Sequence, residues 1–331
     1  MHRAQKSLPA SYYRGGTSRA IIFQKEHLPQ DTARWPSIFR AAMGSPDPNG
    51  RQLNVWGKSE RDDADVDYTF AAIGIKVSEV DFSSNCGNMI SAIGPFAVDS
   101  GLVNHQDGKA VIIHSHFPAE DGEAVVEGDF AIDGVAGTGA KIELAFLNPA
   151  GSKTGETLPT GNVVEIFDEI KTTCIDVNNP CVFVSASSLE VEGGILVVVS
   201  MGIAKDINSV PGSIPKIAMV SAPHEHLLLS GEKAEPDYCD VIVRAISVGQ
   251  PHRAVPITVA IALVTASRLD GSTVHECTSK EPVDRDGVTI GHNSGKLLVG
   301  ANFEEDGTVR DATVFRTARR IMNGTVYWVD P

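Results

Sequence analysis

The residues best suited to chemistry in this chain form a polar, glycine-opened turn, Ser84-Asn85-Cys86-Gly87-Asn88, ahead of the small apolar run Met89–Val98. The run predicts a buried helix over Gly87–Ser100. A thiol at a helix head faces unpaired backbone N–H groups and the positive end of the helix dipole, and both favour thiolate over thiol. Such a thiolate can abstract a proton, while the N–H groups around it can hold an anion. The ordinary alternative is a buried cysteine acting as a small hydrophobe. Asn85, Gly87 and Asn88 argue against it, because an apolar core position needs no polar turn beside it.

Gly15-Gly16-Thr17-Ser18 fits a carboxylate clamp, in which the glycines allow close backbone approach and the two hydroxyls donate; the plainer reading is a strand-entry turn. Arg19 is expected to face solvent. Ser294 and Gly295, in a turn before a strand, can cap the other end of a ligand. The segment Ser247-Val248-Gly249-Gln250-Pro251-His252 precedes a second apolar helix, Ala254–Leu269, as Cys86 precedes the first. By pseudo-symmetry, Ser247 and Gly249 should face the same cleft. His252 is either a proton-transfer group or a histidine hydrogen-bonded in place. Cys181 opens a strand and reads as structural, and His224 with His226 lacks a third metal ligand.

Composition limits the functions available. The 331 residues, 42% hydrophobic and 21% charged, suffice for two domains with real cores. The net charge is −14 and no basic run occurs, which argues against nucleic-acid and anionic-membrane partners. Five cysteines without CxxC spacing suggest neither a disulfide framework nor a zinc site. The N-terminus lacks the apolar stretch of a secretory signal, so a cytoplasmic setting is the default expectation.

Most of the chain reads as short strands between Gly, Pro, Asn and Asp: Ala20–Phe23, Ala110–His114, Gly122–Ala131, Lys141–Leu147, Val163–Phe167, Val182–Val184, Gly194–Val199, Lys216–Val220, Asp240–Ala245 and Lys296–Gly300. Thr32–Met43 reads as an amphipathic helix. Two helices without a polar face, one in each half, suggest a duplicated unit in which a curled sheet wraps a central helix.

Taken in order, a series of motifs resembles the landmarks of the PrpF family. They are Tyr13-Arg14-Gly15-Gly16-Thr17-Ser18-Arg19, Met43-Gly44-Ser45-Pro46-Asp47 with Gly50-Arg51-Gln52, Ala64-Asp65-Val66-Asp67-Tyr68 and Asn85-Cys86-Gly87-Asn88. Leu158-Pro159-Thr160-Gly161, Ile175-Asp176-Val177, Pro215-Lys216-Ile217-Ala218, Gly291-His292-Asn293-Ser294-Gly295 and Arg316-Thr317-Ala318-Arg319 continue the series. That family includes 2-methylaconitate cis-trans isomerase, aconitate and methylitaconate Δ-isomerases and 4-oxalomesaconate tautomerase. The resemblance implies an α+β, diaminopimelate-epimerase-like fold of two similar domains, each a β-barrel-like sheet around a central helix, with the site in the cleft between them. The expected domains are 1–168, joined by the tail 318–331, and 169–317. The resemblance also implies that no metal or organic cofactor is needed.

One departure bears on mechanism. Family members carry a Gly/Ser-rich stretch ending in Thr-Ser-Lys, followed by a strand, and its lysine is assigned to proton transfer. Here Arg51-Gln52 is followed only by Leu53-Asn54-Val55-Trp56-Gly57-Lys58 and a charged run, so about a strand's worth of sequence is missing. Lys58 is the candidate replacement, although its neighbours Ser59–Asp63 favour a lysine in a solvated loop.

The expected function is therefore a cofactor-independent isomerase that moves a double bond or a proton in an unsaturated di- or tricarboxylate. Its catalytic candidates are Cys86 and Lys58. Gly16, Thr17, Ser18, Asn85, Gly87, Asn88, Ser247, Gly249, Ser294 and Gly295 are the substrate-binding candidates. The alternatives are a carboxylate-binding homologue without turnover, and a two-base racemase or epimerase, which needs a second acidic thiol. The expected partner is a small di- or tricarboxylate, with a homodimer as an open option.

Overall fold

A computed structural model describes residues 5–43, 52–58, 64–73, 78–82, 86–103, 110–112, 115–188, 215–247, 250–305 and 307–329. The chain forms two compact units. The first comprises 1–131, 137–142 and 316–331, and the second 132–136 and 143–315.

In the first unit, β1 (Lys6–Gly15), β2 (Ser18–Gln24), β3 (Gln52–Lys58), β4 (Val66–Ile73) and β5 (Val80–Asp81) lie side by side in that order, and the C-terminal strand Ala318–Trp328 flanks β1. Of these pairs, β2 with β3 is parallel and the others are antiparallel. β1 alternates along its second half, with Ser11, Tyr13 and Gly15 buried, as expected of a strand with one face against a core. Tyr13 meets Phe96 edge-on, with ring centroids 5.7 Å apart, and its hydroxyl donates to Asp99. The helix α1 (Trp35–Met43) packs Ile38 and Phe39 into a cluster with Phe23, Leu28, Ala71, Ile73 and Trp328.

The helix expected over Gly87–Ser100 is broken into α2 (Gly87–Ile90) and α3 (Ile93–Asp99). Pro95 accounts for the break: it cannot donate to the Ser91 carbonyl, and its ring excludes that carbonyl from a helical position. The first turn therefore closes early, with Ser91 N–H on Asn88 O (3.2 Å) and Ala92 N–H on Met89 O (2.9 Å). Pro95 then sits in the first turn of α3, where a missing N–H costs nothing.

The second unit holds β6 (Ile142–Leu147), β7 (Glu165–Phe167), β8 (Ile170–Val177), β9 (Asn179–Ser185), β10 (Lys216–Ser221), β11 (Val241–Ser247), β12 (Val288–His292), β13 (Gly295–Phe303) and β14 (Val309–Arg316). Their order in space is β7-β8-β9-β10-β11-β12-β13-β14-β6. The helix α4 (Ile257–Ser267) is buried along its whole length and packs on β8, β9 and β13. Two of its polar side chains bond within the helix: Thr265 Oγ1 donates to Ile261 O (3.2 Å) and Ser267 Oγ to Val264 O (2.7 Å). The short helix α5 (Thr273–Cys277) comes next, capped by Ser272, whose hydroxyl accepts from His275 N–H at 2.9 Å.

The sequence-based break at 168 differs from this division, which assigns 143–168 to the second unit. Asp176 is the physical reason: its buried carboxylate accepts from Ser152 Oγ, Lys153 N–H and Thr154 N–H, each at 2.7 Å, and its carbonyl accepts from Gly151 N–H. The strand expected at Gly194–Val199 lies outside the described residues. Asp176→Ala leaves two backbone N–H groups and a hydroxyl without an acceptor, at a cost of about 3 kcal/mol. Denaturant unfolding should show this as a lower midpoint, and an unchanged midpoint would refute the role given to Asp176.

Candidate functional site

The turn between β1 and β2 lies directly against α2. A methyl group on Gly15 would stand 2.6 Å from Asn88 O and 3.1 Å from Met89 Cα. Gly16 has φ +52°, and a methyl group there would stand 2.4 Å from Asn88 Oδ1 and 3.2 Å from Arg316 Cδ. Only glycine fits either position. The sequence reading assigns these glycines to ligand approach; the structure shows that the space a side chain would need at each is occupied by neighbouring atoms, those of Asn88 and, at Gly16, Arg316 among them.

This close approach builds a chain of hydrogen bonds. Arg316 Nε donates to Asn88 Oδ1 (3.1 Å), and Asn88 Nδ2 donates to Thr17 Oγ1 (3.0 Å). Arg316 and Asn88 are buried. Desolvation lowers the Arg316 pKa to about 10, so the guanidinium stays cationic at neutral pH. Gly16 N–H also donates to Thr317 O (2.9 Å), which pins the turn to the chain entering the C-terminal strand.

Cys86 occupies the N-cap of α2 with extended backbone (φ −107°, ψ 94°), and its carbonyl accepts the first helical bond from Ile90 N–H. Its thiol is half-buried and reaches Ser18 Oγ at 3.8 Å. Because α2 is a single turn, the helix dipole contributes less at Cys86 than the long helix of the sequence reading implied. Tyr68 on β4 comes beside it: the residue is half-buried, its phenol end is enclosed, and the Cys86 backbone N–H donates to it. Burial, and after it the charge of Cys86, push the Tyr68 pKa up, so the phenol stays protonated.

Of the other thiols, those of Cys174, Cys181 and Cys239 are buried, while Cys277 is half-buried like Cys86. Burial raises Cys174 and Cys181 to about 12 and also raises Cys239 and Cys277. Cys181 lies fully buried in β9.

The structure therefore gathers Gly16, Thr17, Ser18, Cys86, Gly87 and Asn88 in the first unit. Arg316 and Tyr68 join them, although the sequence reading treated both only as motif positions. Their signal was present in the Asp65-Val66-Asp67-Tyr68 and Arg316-Thr317-Ala318-Arg319 motifs, but no spacing rule ties residue 316 to residue 88. Asn85 and Gly249 lie outside the described residues. Lys58 is the last residue of β3, its backbone opposite Val66, and so lies in a strand and not in the expected loop; its side chain lies outside the described residues.

Ser294 and Gly295 belong to the second unit. Ser294 Oγ donates to Arg253 O (2.8 Å) and its N–H to His292 Nδ1 (3.2 Å). Gly295, at φ +138°, lets Asp133 come close enough to accept from Lys296 N–H at 2.6 Å. Ser247 ends β11, opposite Gln250. His252 lies at the surface of this unit, where surrounding protein and Lys216 lower its pKa. The rings of His224 and His226 are 5.8 Å apart, and among the described residues no group of three His, Cys, Asp or Glu side chains is placed to hold a metal ion.

The family model described as PrpF protein matches residues 5–198 and 195–329. The chain is 34% identical to the 2-methyl-aconitate isomerase of Cupriavidus necator, with 98% of each chain covered. That alignment runs over 390 positions against 331 residues here, so dozens of the relative's residues face gaps in this chain. Identity to the 3-methylitaconate isomerase of Eubacterium barkeri is 32%, over 98% of this chain and 97% of that one. Among solved structures, a methylitaconate-delta-isomerase superposes with a TM-score of 0.79 at 32% identity, covering 98% of this chain and 96% of that chain. A hydroxyproline epimerase from Agrobacterium vitis, at TM-score 0.55 and 11% identity, covers 100% of this chain and 95% of its own, and shares the fold alone. The fold is thus the diaminopimelate-epimerase-like α+β type. With this match along nearly its whole length and relatives named as isomerases, the chain is an isomerase and belongs to the PrpF family.

Proposed function

We propose that this isomerase moves a double bond within an unsaturated di- or tricarboxylate of the aconitate or itaconate type, without a cofactor, using Cys86 to transfer the proton. The observation that supports this most directly is the half-buried Cys86 thiol beside Ser18, the residue next to Thr17, on which the Arg316–Asn88–Thr17 hydrogen-bond chain ends. The names of the methylaconitate and methylitaconate isomerases to which the chain is similar supply the substrate class.

A proton on the carbon γ to a carboxylate is weakly acidic, because its removal leaves a dienolate whose charge collects on that carboxylate. Catalysis then depends on fixed positive charge and donors where this charge gathers. Arg316 is the buried cation of the site, and a cation held away from water acts over a longer range than an exposed one. Asn88 and Thr17 transmit its position to the turn. Ser18 stabilises the thiolate by donating to it once the thiol proton has left, and Tyr68, protonated beside the same cysteine, is a second neutral donor. Returning the proton at the far carbon completes the shift. A racemase reading needs a second acidic thiol, and burial raises the pKa of all four other cysteines.

This reading makes Cys86 the most reactive thiol. Limiting iodoacetamide should modify Cys86 ahead of the rest, and a tricarboxylate should protect it. Preferential labelling of Cys277, the other half-exposed thiol, would count against the site.

Incubated with trans-aconitate in deuterated water, the protein should incorporate deuterium at carbon. Cys86→Ser should slow this about a thousandfold while leaving folding and binding in place, since a serine hydroxyl is too weak an acid for the role. Undiminished exchange in that variant would move the chemistry elsewhere.

Arg316→Gln keeps a donor for Asn88 and removes the charge. Its kcat/KM for the acid should fall about tenfold or more, mainly through kcat. An unchanged kcat/KM would mean that Arg316 serves packing alone.

A further inference from the structure

Arg14 on β1 stands directly opposite Arg19 on β2 and directly opposite Arg319 on the C-terminal strand. Residues paired in this way project from the same face of a sheet, so three guanidinium groups form a row across three adjacent strands. Burial identifies the face. Tyr13 and Gly15 on either side point inward, while Arg14 is half-buried and Arg19 and Arg319 are exposed. Arg14 registers its neighbours: its pKa is lowered first by desolvation and then by the charges of Arg319 and Arg19.

Like charges directly opposite one another destabilise a sheet. The adjacent Arg320 is neutralised, with Asp99 at 3.5 Å and Glu123 at 2.5 Å. Among the described residues, none of Arg14, Arg19 and Arg319 has a carboxylate partner, in a chain whose net charge is −14. The centre of the row is also fixed in place. Arg14 Nη1 donates to Gly16 O (3.0 Å), Thr317 O (3.1 Å) and Thr317 Oγ1 (3.0 Å). One edge of that guanidinium is thereby tied to the turn that carries Thr17 and Ser18.

We infer that the row Arg19–Arg14–Arg319 is a binding site for a multivalent oxyanion on the outer face of the first unit's sheet. Planar guanidinium groups match the oxygen spacing of carboxylates and phosphates. An anion with two or three charges bridging the row turns a repulsive arrangement into an attractive one. Two sources offer this chemistry, a small polycarboxylic acid and free phosphate. The inference rests on charge and strand register alone, and it stands apart from the reaction assigned to Cys86.

The test is the double variant Arg19→Gln with Arg319→Gln, which leaves Arg14 to hold the turn. Calorimetric titration at low ionic strength uses two probes, inorganic phosphate and tricarballylate, a saturated tricarboxylate with no double bond to move. At least one probe should lose a binding event in the variant, or bind about tenfold more weakly there than in the wild type. Weakening of phosphate alone assigns the row to phosphate, and weakening of tricarballylate assigns it to polycarboxylates. Without either anion, the variant should melt no lower than the wild type, because its substitutions remove a repulsion. Unchanged titrations with both probes would overturn the inference. So would a ligand-free variant that melts well below the wild type, since the arginines would then be structural.

Discussion

The turn from Gly15 to Ser18 lies so close to α2 that a methyl group on Gly15 would stand 2.6 Å from the Asn88 carbonyl oxygen. This backbone approach is the constraint on which the candidate site depends. It places Asn88 within reach of Thr17 on one side and Arg316 on the other, and it sets Ser18 opposite the Cys86 thiol. The approach is held from behind by Gly16 N–H on Thr317 O and from within by Tyr13 against Phe96 and Asp99. The C-terminal strand is therefore part of the site's architecture: its pairing with β1 sets where Arg316 and Thr317 enter.

The site's geometry also limits what helix electrostatics can contribute. A long helix behind Cys86 would place a substantial positive end at the thiol. Pro95 divides it, and one turn is left. Positive charge must then come from a side chain, and Arg316 is a buried one that remains cationic at neutral pH. The division has a structural use, since the tight turn at Ser91 and Ala92 allows Ser91 Oγ to donate to Asn88 O at 2.7 Å and holds the asparagine's backbone in place.

Some of this was legible in the sequence. The apolar runs at Met89–Val98 and Pro256–Ala266 announced two buried helices, because a segment without a polar face has nowhere else to go. The glycines of Gly15-Gly16 and the polar turn at Cys86 marked the site's parts. Other features were hidden for identifiable reasons. β1 and the C-terminal strand carry apolar residues on both faces, with Leu8, Ala10 and Val326 packed on the α1 cluster and Ile321, Met322 and Tyr327 exposed, so their alternation is weak until the pairing is known. Asp176 sits in a motif that invites a functional reading, yet it serves as an acceptor for the loop 151–154. The Arg316–Asn88 bond spans 228 residues, a separation at which no local pattern carries information.

The arginines show how one strand pair can serve opposite electrostatic ends. On the C-terminal strand, Arg320 pairs with Asp99 and Glu123, and the same Asp99 takes the Tyr13 hydroxyl, so this charge is spent inside the fold. One residue earlier the strand turns Arg319 outward, beside Arg14 and, among the described residues, with no carboxylate. In a chain of net charge −14, an anion approaching at random meets repulsion over most of the surface. Concentrated cationic groups then have an effect beyond their number, since within a Debye length of about 8 Å at physiological salt the local field outweighs the distant one. The buried Arg316 and the exposed row lie on either side of the same turn, and Gly16 touches both, through its packing on Arg316 and its carbonyl on Arg14. A single glycine at positive φ thus joins the interior charge to the surface charge, and a side chain there would disturb both together.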